Sequence, residues 1–415
     1  MARRAAGETM ASRSQLEKPR TAPVSGSTSD AGAPLVSAII PCLNEERTLG
    51  LCIEKALKSF ARRGIKGEVV VGDNGSTDYS VRIAEALGAH VVHQPVRGYG
   101  AAISAAAAAA RGKYLIMGDA DDSYDWSQID EFIDALEGGA ELVMGNRFAG
   151  GIESGAMPAL HRYLGNPVLS AVARWLHQSP VRDFHCGMRG FTRDAFRKIG
   201  ARSPGMEFAS EIVINAHRAG LKISEVPIKL HPDKRGRPPH LRSFRDGWRH
   251  LRLIIAHAPD RLYLVPGFAL LIAGITGLTV LARGPVTING QYFGIHFVAA
   301  STMATLIGLS AILLGTLAKV AIATHHPDHQ GRVVPWLRRG RPLEWLVAMG
   351  GILTLSGMIG ELLLTFRWLF VGGGMERTVH LTFVITTACV AGLFMFLSGF
   401  VLKLLLDNLS DGHEF

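Results

Sequence analysis

The residues best equipped for chemistry sit in one short stretch, Tyr114–Asp125, which reads YLIMGDADDSYD. Its apolar start (Tyr114 to Met117) predicts a buried strand, and the strand ends in Asp119, Asp121 and Asp122. Carboxylates packed this closely repel one another, and a hard divalent cation with oxygen ligands relieves that repulsion. Asp-x-Asp at a strand end therefore predicts Mg²⁺ or Mn²⁺ held by Asp119 and Asp121. There the metal would clamp a diphosphate and neutralise it as a leaving group. Aspartates also crowd ordinary turns, so the neighbouring segments have to carry the rest of the reading.

Further candidates fall at other apparent strand ends. Pro41-Cys-Leu-Asn44-Glu45 follows the apolar run from Leu35 to Ile40, and Asp73-Asn-Gly-Ser-Thr-Asp78 follows Glu68 to Gly72. Asp73 can bind a base or ribose; equally, with Ser76 and Thr77, it can form a turn and cap the next helix. Arg97-Gly98-Tyr-Gly100 opens an alanine-rich helix, a place that can receive a phosphate, although tight turns and close helix packing need glycines just as much. Gly145-Asn-Arg147-Phe148 closes another strand, and Asp183 and Glu211 are further acidic candidates.

Stepping from strand to strand, residues 35–40, 68–72, 90–93, 113–118 and 141–145 alternate with helical patterns. That alternation predicts an α/β domain with a mostly parallel sheet covered on both faces. Residues 222–230 predict one more strand. Between His161 and His177, Leu164, Val168, Leu169, Val172 and Trp175 mix with Arg162 and Arg174. This is an amphipathic helix that suits a membrane interface or a place against the sheet equally well.

A chain of 415 residues has room for about two or three domains. Charge dominates the first part, whereas residues 262–282, 295–318, 343–366 and 379–402 are long apolar runs. Each can cross a hydrocarbon core of about 30 Å as a helix. The third run holds Glu361, a costly group in lipid unless it finds a partner. The division is then a disordered cytoplasmic tail (1–33), a catalytic domain (34–235), a basic juxtamembrane segment (236–261) and an all-α domain of four transmembrane helices (262–415). The net charge of +9 and the arginines of residues 235–252 precede a membrane span, which favours lipid head groups over nucleic acid. Arg332, Arg338, Arg339 and Arg341 lie between the second and third spans. The positive-inside rule then places the catalytic domain, that loop and the C-terminus in the cytoplasm. Cys42, Cys52, Cys186 and Cys389 lack metal-site spacing and read as reduced packing residues.

Taken together in their order, Pro41-x-x-Asn44-Glu45, Asp73 to Asp78 and Asp119-Ala-Asp121 resemble family 2 glycosyltransferases of the GT-A fold. Gly145-Asn-Arg-Phe148, Cys186-Gly-Met-Arg-Gly-Phe191 and Glu225-Val-Pro227 narrow the likeness to dolichol-phosphate-mannose and dolichol-phosphate-glucose synthases. The resemblance implies a Rossmann-like GT-A domain in which Pro41, Asn44, Glu45, Asp73 and Gly98 help hold the nucleotide-sugar, UDP-glucose or GDP-mannose. Asp119 and Asp121 would take the diphosphate through the metal, with Asp183 and Glu211 as candidates for the sugar hydroxyls. Arg147, with Arg162 and Asn166 on the following helix, would take the phosphate of a polyprenyl or dolichyl phosphate. Ser123 stands where the mannose synthases carry glutamine, and the Gln-x-x-Arg-Trp motif of processive synthases is missing. The expected product is a lipid-phosphate-linked hexose made by an integral protein of the cell membrane. Two rivals stay open: transfer to a lipid alcohol, with Asp122 or Asp183 as general base, and a non-catalytic membrane scaffold. The sugar, the polyprenol length and the oligomeric state (a homo-oligomer included) are not specified by these motifs.

Overall fold

The computed structural model describes residues 32–236, 243–325, 332–339, 341–371 and 378–411. Residues 1–31 of the expected tail lie outside these, as do Arg237, Arg242 and Arg377. Strands β1 (Val36–Cys42), β2 (Gly67–Asp73), β3 (His90–His93) and β4 (Tyr114–Met117) alternate with helices α1 (Leu49–Arg63), α2 (Ser80–Ala86) and α3 (Tyr99–Ala109). Next come α4 (Ile129–Glu137), β5 (Leu142–Asn146), the short α5 (Arg147–Gly150), α6 (Asn166–His177), β6 (Arg189–Thr192), α7 (Arg193–Ile199), α8 (Phe208–Arg218) and β7 (Ile223–Pro227).

The seven-stranded sheet runs β3-β2-β1-β4-β6-β5-β7. All neighbours are parallel except at β6, which is antiparallel to both β4 and β5. The mostly parallel sheet expected from the alternation is therefore present, with β6 as the strand that periodicity did not reveal. Four residues starting with a buried arginine leave no apolar alternation to read. Successive residues feed opposite faces, as strand geometry requires. Ala38, Ile40, Val69, Val71 and Ile116 pack with α1 and α4, whereas Ile39, Val70, Leu115 and Met117 pack with α3, α6 and α8.

Helix α9 (Ser243–Ala256) continues the basic segment. It docks on the second face through Ile254 and through the Nε2–H of His177, which donates to the Ile254 carbonyl at 2.9 Å. Then come α10 (Val265–Leu281), a small hairpin, α11 (Ile295–His325), the short α12 (Val333–Arg338), α13 (Arg341–Phe366) and α14 (Val379–Asp411). Among the described residues, four helices, with their flanking turns, are long and apolar enough to span a membrane: Asp260–Leu281, Ile295–Thr324, Arg341–Val371 and Val379–Asn408. Small residues let them meet closely: a Cβ on Gly350 would lie 2.8 Å from the Gly392 carbonyl, the kind of backbone contact that joins helices in lipid. Glu361 does find a partner there, accepting from the Thr386 hydroxyl at 2.5 Å.

Candidate active site

In an open α/β sheet a ligand crevice forms beyond the strand C-termini where the strand order reverses. Here β1 lies between β2 and β4, with Cys42 paired to Asp73 and Ile39 to Met117. The register brings the segments after β1, β2 and β4 to one edge. Asn44, Glu45, Asp73, Asp119 and Asp121 therefore gather at that switch point.

The first two loops are stitched together. Asn44, in the left-handed region at φ 57°, accepts from the Thr77 amide at 2.7 Å, and its own amide donates to Ser76 Oγ at 2.9 Å. Asp73 accepts from the amides of Gly75 and Ser76 and faces His93 Nδ1 at 3.1 Å. Burial pushes the Asp73 carboxyl up, but these hydrogen bonds outweigh it and hold the group below the usual carboxylate range. Asp73 thus performs the loop-forming role. Pro41 is half-buried in β1. Gly98, at φ 142°, donates to Asn74 Oδ1 at 2.6 Å. A Cβ at Gly98 would collide with the Pro204 carbonyl, which explains the glycine by close approach.

The three aspartates after β4 have separate surroundings. Asp119 accepts from the Tyr99 hydroxyl at 3.0 Å. Burial, reinforced by the charge of Asp121, pushes its carboxyl up to about 7. Gly187, from the Cys186-Gly-Met motif, makes room for it: a Cβ there would lie 2.9 Å from Asp119 Oδ2. Asp121 accepts from Ser123 Oγ at 2.6 Å and is ion-paired with Arg235. Arg235 Nη1 also lies 3.6 Å from Glu45 Oε1. Asp122, buried, is held between Lys55 and Lys234, each at 2.7 Å. A cleft of about 400 Å³ lies on this Asp122 side between Lys55, Glu153 and Lys234. The acidic cluster is thus capped by the 234–235 segment, whose cations stand on its carboxylates.

Arg147 is buried, and its Nε and Nη2 donate to the two oxygens of Asp183, each at 2.7 Å. Its Nη1 finds no partner among the described residues. Asp183 is fully buried and also accepts from the Arg147 amide at 3.1 Å. The Glu225 carboxylate takes the amides of Arg182 and Asp183. Buried Arg189 donates to the carbonyls of Phe184, Cys186 and Ala209, which fixes the loop that carries Asp183. Arg162 stacks on Tyr163 at 5.6 Å, and Asn166 Nδ2 contacts the Met157 sulfur at 3.4 Å. Neither touches Arg147, although His161, one residue earlier, feels the Arg147 charge. Glu211 lies apart from this cluster and holds the amides of Arg202 and Ser203 at 3.0 and 2.8 Å.

Among the described residues no group of three or more His, Cys, Asp or Glu side chains forms a metal cage. A two-carboxylate site still fits Mg²⁺, which is commonly bound by one or two carboxylates together with substrate phosphates. The burial and neighbouring Asp121 charge that raise Asp119, and the guanidinium standing on Asp121, both mark a place for positive charge. Sequence reasoning had missed Arg235, Lys234 and Lys55. The available signal was Glu45 plus three aspartates converging on one edge, a charge that needs cations from elsewhere in the chain.

A mostly parallel α/β domain with an acidic switch-point crevice, joined to four membrane-length helices, has the build of a membrane-bound nucleotide-sugar transferase. The chain belongs to glycosyltransferase family 2. Residues 37–200 match the family 2 glycosyl transferase domain, and residues 316–406 match the family 2 C-terminal transmembrane region. The low-salt glycan biosynthesis hexosyltransferase Agl6 of Haloferax volcanii is 36% identical over 95% of this chain and 99% of its own. The dolichyl-phosphate hexose transferase of the same organism is 31% identical over 46% of this chain and 81% of its own. Among solved structures, glucosyl-3-phosphoglycerate synthase from Mycobacterium tuberculosis, in complex with Mn²⁺, UDP and glucosyl-3-phosphoglycerate, is 24% identical over 56% of this chain and 81% of its own, with a TM-score of 0.42. The protein is a membrane glycosyltransferase.

Proposed function

We propose that this enzyme transfers a hexose, glucose or mannose, from UDP-glucose or GDP-mannose to a polyprenyl or dolichyl phosphate, with inversion, at the cytoplasmic face of the cell membrane. The observation that carries this reading is the nearness of an acidic strand end to a buried cation. Asp119 and Asp121 form the acidic end, and the charge of Arg147, whose Nη1 is without a partner among the described residues, acts on Asp119. An anionic acceptor suits such a site better than a neutral alcohol. The carboxylates that could serve an alcohol as base are both held by cations, Asp122 by two lysines and Asp183 by Arg147. The dolichyl-phosphate hexose transferase relative is named for the same acceptor class.

A phosphate monoester has a second pKa of about 6 and is largely ionised at neutral pH. Its oxygen attacks the anomeric carbon as the bond to the nucleoside diphosphate breaks, and no strong base is needed. The protein contributes positioning and charge stabilisation. In this reading Asn44, Glu45, Asp73 and Gly98 border the nucleoside. Arg147 holds the acceptor phosphate, aided by Arg162 and Asn166, and Asp183 fixes the plane of the Arg147 guanidinium. Mg²⁺ or Mn²⁺ on Asp119 and Asp121 would supply charge neutralisation for the departing diphosphate. Arg235 must release Asp121 to admit it. The arginines between α11 and α13 support the cytoplasmic orientation.

The test offers purified enzyme a labelled donor with either polyprenyl phosphate or the matching polyprenol. Product from the phosphate alone supports the reading. Product from the alcohol alone would replace it with glycolipid synthesis.

A further inference from the structure

A second recess adjoins the segment that carries Arg147. It is a cleft of about 260 Å³ lined by Asn146, Phe148, Ala149, Pro167, Arg174 and Arg182. Arg147 gives Nε and Nη2 to Asp183, whereas Arg174 and Arg182 are both exposed and neither guanidinium has a partner among the described residues. Two unpaired arginines on a mostly apolar recess make a receptor for phosphate oxygens, since the planar fork donates in parallel to them.

The surroundings identify the source of that phosphate. On α6 and the turn before it, Leu164, Val168, Ala171 and Trp175 recur at helical spacing and are all exposed, whereas Ser170, Ala173 and Leu176 are buried against the domain. Trp175 is 62% exposed, although it sits next to a fully packed face. An apolar stripe of this kind, opposite a packed face and ending in tryptophan, suits the head-group boundary of a bilayer. A contact fixes its depth: Arg261, in the first turn of the first membrane-length helix, donates through Nη1 to the Trp175 carbonyl at 2.7 Å. The end of α6 is therefore level with the start of that span, and Arg174 flanks the stripe where a long cationic side chain reaches back to the head groups.

We infer that the Arg174–Arg182 recess binds the phosphate head group of an anionic bilayer phospholipid, docking α6 on the membrane beside the acceptor end of the active site. The inference rests on the membrane attachment of the chain and is independent of which acceptor the enzyme uses.

The experiment replaces Phe148, 42% exposed on the wall of the recess, with photoreactive p-benzoylphenylalanine in the full-length protein. Irradiation follows in vesicles of phosphatidylcholine with or without phosphatidylglycerol, and mass spectrometry reads the attached lipid. Phosphatidylglycerol should be attached in preference to phosphatidylcholine. The Arg174→Gln/Arg182→Gln pair should lower that labelling roughly ten-fold or more, as expected when charge-assisted hydrogen bonds are lost. Arg174→Lys/Arg182→Lys should keep most of it, and melting temperatures of all variants should match the parent. Equal labelling by both lipids, labelling that survives the glutamine pair, or none by either lipid would each overturn the inference. Displacement by inorganic phosphate would reduce the recess to a simple anion site, and displacement by equimolar polyprenyl phosphate would make it part of the acceptor site. Either result also overturns it.

Discussion

Replacing Arg235 with glutamine should tighten divalent-metal binding in the absence of any donor. The guanidinium ion-pairs with Asp121, lies 3.6 Å from Glu45 and is only 10% exposed. A metal arriving at Asp121 has to displace it. A charge-assisted hydrogen bond to a carboxylate contributes about 1.5–3 kcal/mol, and removing that competitor returns the same amount to metal binding. The dissociation constant for Mn²⁺ should therefore fall roughly ten- to hundred-fold. Losing the cation also leaves Asp119 and Asp121 repelling each other with less compensation, which pushes in the same direction. The assay is Mn²⁺ titration of the purified full-length protein by electron paramagnetic resonance, which counts free Mn²⁺ and needs no turnover. Unchanged or weaker binding in Arg235→Gln would refute the view that this arginine stands in for the metal. Asp121→Ala is the control, and should bind Mn²⁺ poorly whatever stands at position 235.

Other perturbations follow from the same geometry. Arg147→Ala should lose lipid-dependent transfer and also lower the melting temperature, because breaking a buried ion pair on one side costs about 3–5 kcal/mol; an unchanged melting curve would contradict the Asp183 pairing. Burial holds His177 down at about 4, against an ordinary value of 6.5. Its neutral form is the folded form, so the α6–α9 contact keeps full stability above pH 6.5 and loses it as pH falls toward 4, by of order 3 kcal/mol. Faster amide exchange in α9 at pH 5 than at pH 7.5, absent in His177→Gln, is the expected signature. Arg339→Cys should resist a membrane-impermeant thiol reagent applied to intact cells and react after permeabilisation. Labelling from outside would reverse the proposed orientation.

The parallel strands, their pairing and the membrane helices were legible because each rests on a local pattern, which the antiparallel β6 lacks. Apolar runs closed by Pro41, Asp73 and Asp119 announced strand ends, and period and length announced the spans. The cysteines, free in the structure, needed only their lack of metal spacing. What could not be read was long-range charge pairing. Asp121 and Arg235 are more than a hundred residues apart, and no periodicity links them; the basic run around Arg235 looked like a lipid-facing surface. Asp183 and Glu211 offered the same difficulty. As sequence they are acidic residues free for sugar hydroxyls, yet one holds Arg147 and the other holds the turn at Arg202 and Ser203. Gly98 and Gly187 were visible as glycines, but the Pro204 carbonyl and the Asp119 carboxylate that require them came only from the fold.

The most direct measurement is the linkage in the product. Purified enzyme, Mn²⁺ and polyprenyl phosphate are incubated with ¹³C-labelled UDP-glucose or GDP-mannose, and the lipid product is examined by ¹H, ¹³C and ³¹P NMR. The account predicts an anomeric carbon coupled to phosphorus, with configuration inverted to β from an α-linked donor. A lipid-linked sugar whose anomeric carbon shows no phosphorus coupling, or one that retains the donor's configuration, would contradict it.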